Sequence, residues 1–153
     1  MPTSNLRRPS RGDRRRVPRG GRRPTDRPGR HPVLLVAESS EDVRRRSVEY
    51  LDHFSFRVTE AANGDEVLSA VNTALPQVIL TELTLPKMPA WRLSRWLANN
   101  FRTRDIPLIV MADEFGEDVE PRLGQPAGVL LKPFTLATML DEVRRVLRAQ
   151  MAM

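Results

Sequence analysis

The chain has 153 residues, enough for one domain with a proper core and too few for two ordinary ones. It contains no cysteine, which excludes a disulfide framework, a thiolate nucleophile and a Cys-based zinc site. Its net charge of +6 is unevenly placed: residues 1–32 hold 11 Arg against Asp13 and Asp26, while residues 33–153 carry 14 basic and 17 acidic side chains, so the excess belongs to the N-terminal stretch.

That stretch is rich in Arg, Pro and Gly, and its only apolar residues are Met1, Leu6 and Val17. It cannot bury enough surface to offset the entropy of ordering, so residues 1–31 are expected to be a disordered tail ahead of a domain over residues 32–150. Clustered Arg gains free energy by releasing condensed counterions from phosphates, which makes nucleic acid a candidate partner of the tail. Two blander accounts stand beside that one, a solvated tail of no consequence and a start codon misplaced upstream in a GC-rich gene. The chain has no apolar run of about 18 residues, and no apolar stretch follows the basic start as in a signal peptide. The expected location is the cytoplasm, with no membrane partner.

From Val33 short apolar runs alternate with amphipathic stretches. Val33–Ala37 reads as a buried strand, after which Ser39 or Ser40 caps a helix running to about Phe54, with Glu41 and Asp42 suited to its first turn. Phe56–Glu60 is a second strand. Asn63 and Gly64 open a second helix carrying Val67, Leu68, Val71 and Leu75, and Val78–Glu82 is a third buried run. Pro86 and Pro89 enforce a loop. Ala90–Asn100 is a third helix, Pro107–Ala112 a fourth strand and Val129–Leu131 a short fifth. Between Ala112 and Lys132 the breakers Pro121, Gly124 and Pro126 limit the fourth helix to one or two turns. Over Thr135–Gln150 the residues Leu136, Met139, Leu140, Val143, Val146 and Leu147 recur at three- and four-residue spacing, the apolar stripe of a last helix. Strands alternating with helices imply right-handed crossovers and a flavodoxin-like five-stranded parallel α/β sheet covered on both faces. In such a sheet chemistry gathers at the carboxyl ends of the strands, so the residues to inspect are 38–40, 82–90, 112–114 and 132–134.

At those strand ends the sequence resembles the receiver domains of two-component signalling, from Val33 to about Leu147. The resemblance rests on Val33-Leu34-Leu35-Val36 running into Glu38-Ser39-Ser40-Glu41-Asp42, on Glu82-Leu83-Thr84-Leu85-Pro86-Lys87-Met88 and on Leu131-Lys132-Pro133-Phe134, with support from Ile106-Pro107-Leu108-Ile109-Val110 and the Ala62-Asn63-Gly64 turn. It implies transfer of a phosphoryl group from a kinase histidine to an aspartate ending the third strand, aided by magnesium. It also implies an acidic pair to hold the metal, a hydroxyl and a lysine to take up phosphoryl charge, and a cis Lys132–Pro133 bond.

The chain departs from that pattern at most positions. The phosphoacceptor position is Glu82, whose extra methylene moves the carboxylate out of a geometry set for aspartate. The acidic pair is represented by Glu38 and Ser39, so a charged ligand has become a hydroxyl. Any magnesium site built on Glu38 and Glu82 is therefore expected to be weak or absent, and no other cofactor is expected. Among the switch positions Ala112 lacks the family's hydroxyl and Val129 lacks its aromatic ring, while Lys132 is retained. In a chain with 23 Arg and only two Lys, a lysine there favours a compact ammonium aimed at a central carboxylate, and a standing ion pair with Glu82 is expected. Trp96 is a candidate interaction anchor, set against a ring lying half-buried along its own helix; Trp91 is read as packing, and His31 and His53 are too isolated to form a site.

No nucleophile with a base and no metal cluster is present in the sequence, so an enzyme is not expected. The expected function is a stand-alone, phosphorylation-independent module of two-component signalling that binds a histidine kinase or a downstream effector. A working phosphoacceptor receiver and a tail-mediated nucleic-acid binder are the alternatives.

Overall fold

The computed structural model describes residues 31–113 and 122–152. The elements in chain order are β1 Val33–Ala37, α1 Glu41–His53, β2 Arg57–Ala61, α2 Gly64–Thr73, β3 Val78–Glu82, α3 Ala90–Ala98, β4 Leu108–Ala112, β5 Gly128–Leu131 and α4 Leu136–Met151. Residues 1–30 of the expected tail, and 114–121, where most of the expected short fourth helix falls, lie outside the described residues. All five strands are parallel, in the order β2-β1-β3-β4-β5.

Three of the four described helices begin where short polar side chains replace missing backbone partners, and α3 follows Pro89 without such a cap. The Ser40 hydroxyl accepts the Val43 N–H at the start of α1, and the Thr135 hydroxyl does the same for Thr138 N–H at α4. At α2 the Asn63 side chain accepts from Glu66 N–H while the Glu66 carboxylate reaches back to Ala62 N–H, a reciprocal capping pair. This helix ends at Thr73, because Pro76 disfavours helical backbone at Leu75. Leu75, expected on the apolar face of α2, stands outside the helix and is exposed.

Successive strand residues point to opposite faces, so the sheet builds two cores. Leu35, Ala37, Ile79 and Val110 face α2 and α3, where Val67, Val71, Leu93 and Leu97 are buried. Leu34, Val36, Leu80, Ile109 and Met111 face α1 and α4, meeting Leu51, Met139, Leu140, Val143 and Val146. Trp96 belongs to the first of these cores as a half-buried ring packed on it. The reason is periodicity: it lies three residues after Leu93 and next to Leu97, on the edge of the buried stripe. Trp91 packs on the same core, with the Arg122 guanidinium 3.7 Å and that of Arg95 5.5 Å from its ring centre.

Candidate functional site

Register brings the chemistry-bearing residues together. Ala37 of β1 is opposite Thr81 of β3, so the next residues, Glu38 and Glu82, emerge side by side at the carboxyl edge where the strand order reverses. Ala112 ends β4 opposite Leu131 of β5, and the Lys132 N–H donates to the Ala112 carbonyl at 2.8 Å. Lys132 therefore enters from the far side of β4, and its peptide bond to Pro133 is cis.

The side chains form one connected network. Glu38 is 1% exposed, and its Oε1 accepts from Lys132 Nζ at 3.0 Å while its Oε2 accepts from Ser40 N–H at 3.0 Å. Its backbone is held as well, the N–H donating to the Ala61 carbonyl and the carbonyl accepting from Arg44, whose guanidinium also pairs with Glu60 at 2.9 Å. Glu82 Oε1 accepts twice from Ser39, from the N–H at 3.0 Å and the hydroxyl at 2.8 Å. The remaining oxygen, Oε2, is 3.8 Å from Lys132 Nζ.

The expected Glu82–Lys132 pair is thus the looser contact, and Glu38 is the partner of Lys132. Two effects decide this. Glu82 is drawn towards Ser39 by two hydrogen bonds, and the almost fully buried Glu38 carboxylate is the group most in need of a countercharge. Ser39 also has a part that its sequence position did not disclose. A carboxylate at 39 would face Glu82 Oε1 across a hydrogen-bond distance, whereas a hydroxyl donates to it. Glu82 and Ser39 are complementary neighbours.

This donor set is a poor match for magnesium. It offers two carboxylates, Glu38 and Glu82, whose four oxygens already face an N–H, a hydroxyl or the Lys132 ammonium. Among the described residues a hard divalent ion would sit beside that ammonium with no third acidic ligand, and no group of three His, Cys, Asp or Glu side chains is placed to hold one. Ala112 is buried and brings a methyl group to the strand end, and Val129 is half-buried on β5. No helix among the described residues is long and apolar enough to cross a membrane.

At the rim, Lys87 lies in the loop after β3 with a left-handed backbone, φ 71°, and its ammonium meets Asp65 at 2.8 Å. The hydrogen bond and charge of Asp65 raise the Lys87 pKa above its usual 10.5. Gly64 lies beneath this loop: a Cβ there would come within 2.5 Å of Met88 Cβ and 3.1 Å of Met88 N. Both contacts went unnoticed in the sequence, although the Asn63-Gly64 start of a helix is the usual sign of close backbone approach.

Comparison with known proteins bears on the family and the fold. The family profile for the response regulator receiver domain matches residues 34–144. Over 118 residues the chain is 28% identical to the transcriptional regulatory protein BaeR of Escherichia coli, covering 75% of this chain and 48% of BaeR. It is 27% identical over 118 residues to the phosphate regulon transcriptional regulatory protein PhoB of Klebsiella pneumoniae, covering 75% of this chain and 51% of that protein. The chain therefore spans about half the length of the curated relatives it matches. Among solved structures, the chemotaxis response regulator CheY4 of Vibrio cholerae superposes with a TM-score of 0.70 at 23% identity, covering 76% of this chain and 98% of CheY4. A signal receiver domain of an HD domain-containing protein from Pseudomonas fluorescens gives 0.72 at 17% identity, covering 81% of this chain and all 100% of that one. At these identities the structures speak for the fold alone.

Proposed function

The chain belongs to the response regulator receiver domain family, and on that premise we propose that it serves two-component signalling as a phosphorylation-independent binding module, recognising a histidine kinase or a downstream effector by surface contact. One observation carries this: the acceptor-position carboxylate is already engaged. Glu82 holds two hydrogen bonds from Ser39 and faces Lys132, and Lys132 is itself committed to Glu38.

Phosphoryl transfer depends on groups poised for charge that develops during the reaction. Here the lysine that would receive that charge neutralises a ground-state carboxylate, and the end of β4 offers Ala112 in place of a hydroxyl donor. A switch also requires an element with two arrangements for a ligand to bias. With Ala112 and Val129 at the positions of the family's hydroxyl and aromatic, neither group is there to move. The domain acts in one conformation, without magnesium and without catalysis.

The test is incubation with acetyl phosphate and magnesium, followed by intact mass measurement. The expected outcome is no labile adduct. A mass gain of one phosphoryl group, removed by hydroxylamine and absent in Glu82→Gln, would refute the proposal and establish a working phosphoacceptor.

A further inference from the structure

At the opposite, amino-terminal edge of the sheet lies a feature that the pocket does not explain. We propose that the loop joining α3 to β4 is a contact site for single-stranded nucleic acid, with Phe101 as a stacking platform for a base and Arg102 and Arg104 as phosphate partners. This goes beyond the signalling role and does not depend on it.

Phe101 is 81% exposed, the one exposed Phe, Tyr or Trp among the described residues. Its exposure is built in. The buried Thr103 hydroxyl donates to the Leu97 carbonyl at 2.8 Å, Arg102 N–H donates to the Asn100 side chain, and both Thr103 N–H and Arg104 N–H donate to the Asn100 carbonyl. The loop is thus anchored by the residue between the two arginines, and the ring is held outward.

Among the described residues some arginines of this fold are spent on carboxylates and the two in this loop are not. Arg44, Arg45, Arg46 and Arg145 all form ion pairs. Arg102 and Arg104 are exposed and pair with no carboxylate among the described residues; Arg104 instead lies 4.9 Å from the Phe101 ring centre, covering one face of the ring. The last turn of α4 abuts the loop through Gln150, which donates to the Asp105 carbonyl, and that turn contributes Arg148.

A single ring with one free face between unpaired cations suits a base and its flanking phosphates, since base stacking tolerates any sequence and guanidinium supplies the electrostatic part. A protein partner would instead want a broader apolar surface around the ring.

The experiment is fluorescence anisotropy of the full chain with a labelled oligo-dT of about 15 nucleotides and with a duplex of equal length. Phe101→Ala should weaken single-strand binding about tenfold and leave duplex binding unchanged, and Phe101→Trp should restore it. Arg102→Ala with Arg104→Ala should reduce the slope of log K against log salt by about 1.4, two phosphate contacts on a single strand. Thermal melts of these surface variants should match the parent. No binding by the parent chain, equal single-strand affinity in Phe101→Ala, or equal losses on single strand and duplex would each overturn the proposal. So would sedimentation showing that the parent self-associates through Phe101, which would assign the surface to a second copy of the chain.

Discussion

Replacing Lys132 with methionine removes the countercharge of a carboxylate that is 1% exposed. Breaking a buried ion pair by deleting one partner costs about 3–5 kcal/mol, because the remaining charge is stranded away from water. Two features reduce that figure here: the Lys132 side chain is 24% exposed, so the pair is not fully dry, and Glu38 keeps the Ser40 N–H on its second oxygen. A loss of about 2–3 kcal/mol is expected, or roughly 8–12 °C in melting temperature for a domain of this size. Glu38→Gln should cost less, about 1–2 kcal/mol, since Lys132 can turn to Glu82 and to solvent. The decisive quantity is the double-mutant coupling from urea unfolding. Lys132 with Glu38 should couple by about 1–2 kcal/mol, and Lys132 with Glu82, 3.8 Å away and 17% exposed, by less. A negligible Glu38 coupling, or a larger coupling to Glu82, would refute this account of the pocket.

Ser39→Asp should destabilise the domain by about 1–2 kcal/mol, because it replaces a donor 2.8 Å from Glu82 Oε1 with a second carboxylate; Glu82→Gln in the same chain should recover much of the loss, as chemical denaturation would show. Gly64→Ala should cost about 2 kcal/mol, since the new methyl group meets Met88 Cβ and backbone; a melting temperature within error of the parent would contradict that close approach. The Lys87 pKa is raised in the folded state by its hydrogen bond and charge contact with Asp65, so the associated stability is present below about pH 10.5 and is lost as the pH rises through the raised value. Lys87→Met should flatten that alkaline decline while leaving the pH dependence near neutrality unchanged, as followed by stability against pH.

The sequence by itself determined the layered fold. Runs such as Val78-Ile79-Leu80 and Leu108–Ala112 are apolar at every position because both of their faces are covered, and the three- and four-residue spacing of Met139, Leu140, Val143 and Val146 marks a helix lying on a sheet. The Asn63 start of α2 was legible for the same reason, since such signals act within a few residues of chain; the α1 cap was narrowed only to Ser39 or Ser40, and Thr135, read as the first residue of the last helix, is its cap. Strand limits moved by a residue at Arg57, Leu108 and Gly128, where turns and prolines rather than hydrophobicity set the boundary. The positions of the pocket residues were legible too, since the strand ends in a parallel sheet must share one edge. Their pairing was not. Ser39 meets Glu82 across 43 residues and Lys132 meets Glu38 across 94, contacts set by strand register and by which carboxylate is buried more deeply. From the sequence Glu82 was the natural partner for Lys132, being one strand nearer. Tertiary structure chose Glu38, because burial makes an unneutralised charge most costly there, and because Ser39 had already satisfied Glu82.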